Sequence, residues 1–453
     1  MKTKGKDHQF ASMTLTGFVS GMIAAALIVS PFLGRMTEQV EEEIHFVAAS
    51  SENQTKKIID VAPLSETEWQ EFRTARSALF QSTLTLAFPE ELKAELEDGS
   101  KAEWVIPLFD HPEWIILERK NSSIVATLDA TFIEPFLIAN IDPIIPRATN
   151  LALLAVPAAE KLRATLGGKM VDGWAMDAHA AAEYIAENVA ARTLTIIIPI
   201  DRQKGIVENK TDSHAGKFAL LARGKSDFAG SVPNRIHNIK KTLNEKLNGI
   251  YIPVGETFSF VDSLDGPVEL GTGWLMALGI FEGTDLRPTP GGGVCQASTT
   301  IYRAALLAGL PITEQRNHSM YIKYYRKSGE GLDATIFVGS QDLTFVNDTA
   351  GPILVLARTE GTEAIVEFYG TPDGRRVTLE GPYRHHDAPE EIKTATRNQR
   401  KVGILGNEIV WKQTIARDGK EPEEKLLISR YQDEIPWKTT ADAKITEMND
   451  ENL

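Results

Sequence analysis

The chain has 453 residues, room for about three domains at roughly 150 residues each. Hydrophobic residues at 42% and charged residues at 24% exclude both a disordered polyanion and a multi-pass membrane protein. Acidic side chains outnumber basic ones 62 to 48, so a net charge of -14 argues against a nucleic-acid partner; a single cysteine, Cys295, excludes an intrachain disulfide and a Cys-rich zinc or iron–sulfur site held by this chain alone.

Lys2, Lys4 and Lys6 precede a stretch from Gln9 to Gly34 without a charged side chain, and Arg35 ends it. About 20 apolar residues suffice to cross a bilayer as a helix. Residues 13–34 therefore read as one transmembrane anchor. The lysines before it and Glu38, Glu41, Glu42 and Glu43 after it place residues 1–12 in the cytoplasm and the remainder on the extracytoplasmic face of a bacterial cell membrane. A cleaved signal peptide is the alternative, since small residues near Ser30 and Gly34 admit a peptidase, although the stretch is long for a signal sequence. Gly17, Gly21 and Ala25 recur every four residues, a face through which two spans can pack as a weak homodimer; small residues are common in such helices in any case.

Residues 35–65 read as a polar stalk or an early helix. Trp69, Phe72, Ala75 and Leu79 give the segment 66–95 helical spacing, and Leu84 and Leu86 alternate with Thr85 as a strand does. Trp104–Leu108 and Trp114–Leu117 read as strands, residues 150–166 and 178–191 as helices, and Thr193–Ile200 as a strand with buried faces. The pattern is α+β. Its order, above all the turn, helix and closing strand from Gly173 (GWAMDAHAAAEYIAENVAARTLTIIIPI), resembles the YoaR-like, or peptidoglycan-binding-like, domain over residues 66–205.

A polar linker from Asp201 to about Ser213 separates the next unit, in which residues 234–248 read as an amphipathic helix, with Ile236, Ile239, Leu243 and Leu247 on one stripe and Gly249 as its stop, followed by a strand region at Tyr251–Phe260. Then Gly291-Gly292-Gly293-Val294-Cys295-Gln296 runs into a helix whose apolar face is Ala297, Ile301, Ala304, Ala305 and Ala308. Unpaired amides and the helix dipole at such an N-terminus favour a thiolate, and backbone amides near glycines can form an oxyanion hole. The alternative for Cys295 is a small buried residue.

A nucleophilic thiol needs a base, and the base an orienting partner. His318 lies beyond the cysteine helix, just before the strand-like MYIKYY. Asp333 opens the strand-like ATIFVG and is placed to hold the imidazole; a surface histidine and a turn aspartate are the bland alternative.

These residues lie in motifs that resemble the VanW family over residues 214–350. They are Arg235-Ile236-His237-Asn238-Ile239, the run from Asn248 to Phe260, Gly291 to Thr300, Arg316-Asn317-His318-Ser319, Leu332-Asp333-Ala334-Thr335 and Asp342 to Asn347. The resemblance implies a mixed α/β domain in the cell envelope, with peptidoglycan as partner and L,D-transpeptidase-like chemistry. Cys295 would be the nucleophile, His318 the base and acid, and Asp333 or a backbone carbonyl its orienter. The amides around Gly292, Gly293 and Gln296 would be oxyanion donors, and Arg235, Asn238, Ser298 and Arg316 would bind substrate. YkuD-type L,D-transpeptidases place their histidine before the cysteine, so His318 rests on chemistry and proximity. A non-catalytic peptidoglycan-binding or glycopeptide-resistance accessory protein is the alternative.

Residues 351–437 read as strands with a hairpin at Asp418-Gly419 and resemble the β-rich extension that follows VanW domains, a candidate docking module; residues 438–453 read as a flexible tail. His385-His386-Asp387 invites a metal reading, but adjacent histidines on a strand diverge and no third ligand is in view. No cofactor or metal is expected.

Overall fold

The structure, a computed structural model, describes residues 65–432 except 121–122, 159–161, 212–215, 217 and 282–284, together with 444–446. The expected anchor at 13–34 with its small-residue face, the stalk before residue 65 and most of the expected tail lie outside the described residues. No helix among the described residues is long and apolar enough to cross a membrane. The described residues are mixed α+β, as the sequence pattern predicts.

The first lobe opens with α1 (Glu66–Phe80), whose N-terminus is fixed by reciprocal bonds between Ser65 and Glu68. Of the predicted apolar stripe on α1 only Leu79 is buried, while Trp69 is exposed. Next come β1 (Thr83–Ala87), β2 (Glu103–Pro107), β3 (Ile115–Lys120), β4 (Ser123–Leu128), α2 (Ala130–Asn140), β5 (Thr149–Ala155), β6 (Thr165–Val171), α3 (Ala178–Ala190), β7 (Thr195–Ile197) and β8 (Val207–Asn209). β1 pairs antiparallel with β2 and parallel with β7, and Leu84 and Leu86 meet Ile133, Leu137 and Ile185 of α2 and α3 in the core. The helix predicted at 150–166 is instead the antiparallel pair β5 and β6, with β8 parallel to β5. Leu151 and Leu153 face one side at a period of two, and Pro157 interrupts any continuous helix.

The second lobe contains β9 (Ala219–Asp227), α4 (Pro233–Lys241) widening into a π turn at Thr242–Leu247, β10 (Tyr251–Ile252), β11 (Thr257–Ser259), β12 (Met276–Phe281), β13 (Asp285–Pro290), α5 (Val294–Leu307), β14 (Ile312–Glu314), β15 (Thr344–Val346), β16 (Ile353–Glu360) and β17 (Glu363–Gly370). Its main sheet has the antiparallel order β9-β17-β16-β10. Residues 353–370, read from sequence as part of the extension, thus supply two of its strands. Along β16 the pleat divides two cores: Ile353, Val355 and Ala357 join the cluster around α5, and Leu354 and Leu356 join Leu151 and Leu153 of the first lobe. Gly224 lets α5 approach β9, because a Cβ there would lie 2.1 Å from the Thr300 carbonyl oxygen and 2.5 Å from the Ala304 nitrogen.

The chain continues through β18 (Arg376–Tyr383), α6 (Glu390–Arg400), β19 (Glu408–Ala416) and β20 (Glu423–Arg430), an antiparallel sheet in the order β20-β19-β18, with Lys444–Thr446 paired to β18. Neither MYIKYY nor ATIFVG forms a strand; the first carries only a short 3-10 turn at Lys323–Tyr325. Side chains take the place of a sheet partner. Thr299 Oγ1 accepts the Ala334 amide at 3.2 Å, and Arg303 donates from Nε to the Leu332 carbonyl at 2.9 Å.

Candidate active site

Cys295 is the second residue of α5, and Gly293 caps that helix with φ of 110°, a conformation that favours glycine. Its thiol is part-exposed, with Sγ 3.7 Å from Thr335 Oγ1 and 3.7 Å from the Ile336 carbonyl oxygen. His318 lies close enough to the same sulfur for each group to shift the other's titration. The other side of the imidazole is occupied: Nδ1 lies 2.5 Å from Asp333 Oδ2, which also accepts the His318 amide at 2.8 Å. That leaves Nε2 for the thiol. Asp333 Oδ1 accepts the Tyr431 hydroxyl at 2.6 Å, and the Tyr325 ring lies 5.2 Å from the imidazole.

The electrostatics follow from these contacts. Burial pushes the Cys295 thiol up, but the hydrogen bond and charge of His318, with smaller contributions from Ile336 and Thr335, bring it net below its usual range. Burial alone would push His318 down; the bonds and charges of Asp333 and Cys295 hold it well up instead. Burial also opposes ionisation of Asp333, and the His318 and Tyr431 bonds overcome it, so that its carboxyl sits below the ordinary range. A thiolate, an imidazolium and a carboxylate in line is the state these shifts favour.

The sequence-predicted residues divide clearly. Cys295, His318 and Asp333 come together from a helix start and two irregular segments. Gln296 is not available as an oxyanion donor: its amide bonds the Gly293 carbonyl at 2.9 Å, and its buried side chain spans Arg235 and Ser226. The Gly292 amide reaches the Thr289 carbonyl at 3.4 Å. The amides of Gly293 and of Cys295 itself have no hydrogen-bond partner among the described residues, so both remain free to donate.

Two expected substrate contacts are buried. Asn238 holds the glycine turn, donating to the Leu275 and Gly292 carbonyls at 2.8 and 3.0 Å while accepting the Leu275 amide at 2.9 Å. Ser298 is fully buried, and its hydroxyl has no hydrogen-bond partner among the described residues. Arg235 is committed to Ser231 and Gln296, both at 2.6 Å, and stacks 4.3 Å over Tyr324. Arg316 is exposed, and its carbonyl accepts the Thr335 amide at 2.8 Å, which ties it to the residue beside the sulfur. Among the described residues no cluster of three His, Cys, Asp or Glu is placed to hold a metal ion.

Sequence reasoning missed Tyr431 and Arg303. Arg303 is 2% exposed, and its guanidinium bonds five carbonyls, those of Lys225, Tyr325, Lys327, Gly329 and Leu332, which bind the segment before Asp333 to α5 and β9. An arginine among the apolar positions of the cysteine helix was the available signal.

The family model described as VanW like protein matches residues 234–369. The uncharacterized protein YoaR of Bacillus subtilis (strain 168) is 33% identical over 144 residues, 32% of this chain and 46% of the relative. The vancomycin B-type resistance protein VanW of Enterococcus faecalis (strain ATCC 700802 / V583) is 35% identical over 121 residues, 26% of this chain and 42% of the relative. The chain thus spans less than half the length of either relative. No solved structure matches it significantly.

Proposed function

We propose, from the match of residues 234–369 to the family model described as VanW like protein, that this chain is a cell-envelope thiol acyltransferase acting on peptidoglycan stem peptides. The observation that carries the reading is His318 held between the Asp333 carboxylate and the Cys295 thiol. Vancomycin resistance in the name of the Enterococcus relative fits a cell-wall setting. The anchor at 13–34 would hold the enzyme beside that substrate.

In the proposed L,D-transpeptidation, the Cys295 thiolate attacks the carbonyl carbon of the third stem residue, and the amides of Gly293 and Cys295 receive the oxyanion. The C–N bond to the terminal D-alanine breaks, and the His318 imidazolium gives its proton to the leaving amine. A thioester remains. An amine on a neighbouring stem then attacks it, His318 takes the surplus proton, and the C–S bond breaks to restore the thiolate. Asp333 holds the imidazole in one tautomer and offsets its charge. Arg316, an exposed residue whose backbone bonds Thr335, would seat a stem carboxylate.

The test incubates the purified full chain with disaccharide tetrapeptides and reads the products by mass spectrometry. The reading requires 3-3 crosslinked dimers, or loss of the terminal D-alanine, from wild type and neither from Cys295→Ala. Equal behaviour of the two proteins removes the enzymatic reading and leaves a wall-binding protein.

A further inference from the structure

We propose that Tyr431 is a positioning residue of this site and that the C-terminal sheet is part of the catalytic unit rather than a separate docking module; the proposal rests on the acyltransferase reading above. Tyr431 immediately follows β20 and lies outside the 234–369 segment matched to the family. It is 4% exposed, and its hydroxyl donates to Asp333 Oδ1 at 2.6 Å across 98 residues of sequence. Burial and the neighbouring Asp333 carboxylate hold that phenol well above its ordinary range, so it stays protonated and a donor.

Four further bonds join the same sheet to both segments of the site. Ser429 Oγ donates to the Gly331 carbonyl at 2.6 Å, and Trp411 Nε1 to the Glu330 carbonyl at 2.7 Å. On the histidine side, Asn317 Nδ2 donates to the Arg430 carbonyl at 2.7 Å, and the Gln432 amide to the Ser319 carbonyl at 2.8 Å. The end of β20 therefore runs between the His318 and Asp333 segments and bonds each. Neither segment has a strand partner of its own to fix it.

Tyr431 has a chemical consequence that the other four bonds lack. With Oδ1 pinned, Oδ2 is presented to both the amide and the ring of His318. Without the hydroxyl, a buried carboxylate oxygen has no donor, and Asp333 takes up a proton at higher pH. His318 then loses its counter-charge, and Cys295 loses the cation that keeps it ionised.

The experiment measures iodoacetamide alkylation of Cys295 against pH in the full chain, for wild type, Tyr431→Phe and Ser429→Ala. The proposal expects the Tyr431→Phe midpoint to rise by about half a unit or more while Ser429→Ala, which removes a bond to backbone only, leaves it in place. An unchanged or lowered midpoint in Tyr431→Phe, or equal shifts in both variants, overturns it. If Tyr431→Phe does not fold, 3-fluorotyrosine introduced at position 431 keeps the packing; its fluorine resonance must move when Cys295 is alkylated, and a fixed resonance overturns the proposal. A wild-type midpoint already at the ordinary thiol value of about 8.5 would instead sink the acyltransferase reading, so the two failures are separable.

Discussion

Cys295 is pulled in two directions, by burial that favours the neutral thiol and by an imidazolium that favours the anion, and His318 decides the outcome. The consequence is a definite sign. Wild-type alkylation should titrate below about 8.5, and in His318→Ala, where only the weaker Ile336 and Thr335 bonds still oppose burial, the midpoint should rise above that value. A stopped-flow or plate-based alkylation series across pH checks this; a variant midpoint at or below that of wild type contradicts it. His318 is raised to about 10, so acyl transfer should climb as the thiolate forms and fall only as pH passes through that value, where the acid for the leaving amine is lost. How much of this was legible in sequence depended on the residue. A glycine run and a helix start mark Cys295 locally, and thiol chemistry demands a histidine and a carboxylate nearby. Residue type does not reveal exposure, which is why Asn238 and Ser298 read as contacts with substrate although both are fully buried. Tyr431 reaches Asp333 only through tertiary folding, so no local pattern could announce it.

Elements whose partners lie close in sequence were easier to read than those whose partners lie far away. α3, α5 and the β19–β20 hairpin follow from periodicity and turn residues, whereas ATIFVG has strand composition but finds Thr299 and Arg303 side chains where a strand would be. The position of α5 depends on a residue that carries no side chain. A methyl group at Gly224 would meet the α5 backbone at Thr300 and Ala304, which cannot swing aside as a flexible side chain can. Gly224→Ala must push the helix from β9 or bend the strand, and overpacking of this kind costs about 1–3 kcal/mol or more. Urea unfolding should show that loss for Gly224→Ala and almost none for Gly271→Ala, whose added Cβ would meet nothing within 4 Å. Equal stability of the two variants would mean that α5 does not rest on β9 as closely as described.

Among the described residues, the parts are joined on two sides of one sheet. On the α5 side, β9, β16 and β17 share a core with the cysteine helix and with Leu379, Ile409 and Trp411 of the C-terminal sheet. On the opposite side, Leu354, Leu356 and Tyr369 pack against Leu151, Leu153 and Val207 of the first lobe. Backbone bonds reinforce that second joint, since the Ala164 amide donates to the Gly249 carbonyl at 2.8 Å and the Tyr251 amide to the Leu162 carbonyl at 2.8 Å. Loss of apolar packing there should therefore weaken the fold without reaching the thiol, because a sheet of close-packed strands lies between. Leu153 is fully buried, and Leu153→Ala should destabilise the chain by about 2–5 kcal/mol. The Cys295 alkylation midpoint should stay at the wild-type value, in contrast to the shift expected for Tyr431→Phe on the other side. Chemical denaturation and alkylation on the same preparation measure both quantities. A Leu153→Ala protein with a displaced thiol midpoint would show that the first lobe acts on the site through the sheet, and the separation of the two faces would have to be abandoned.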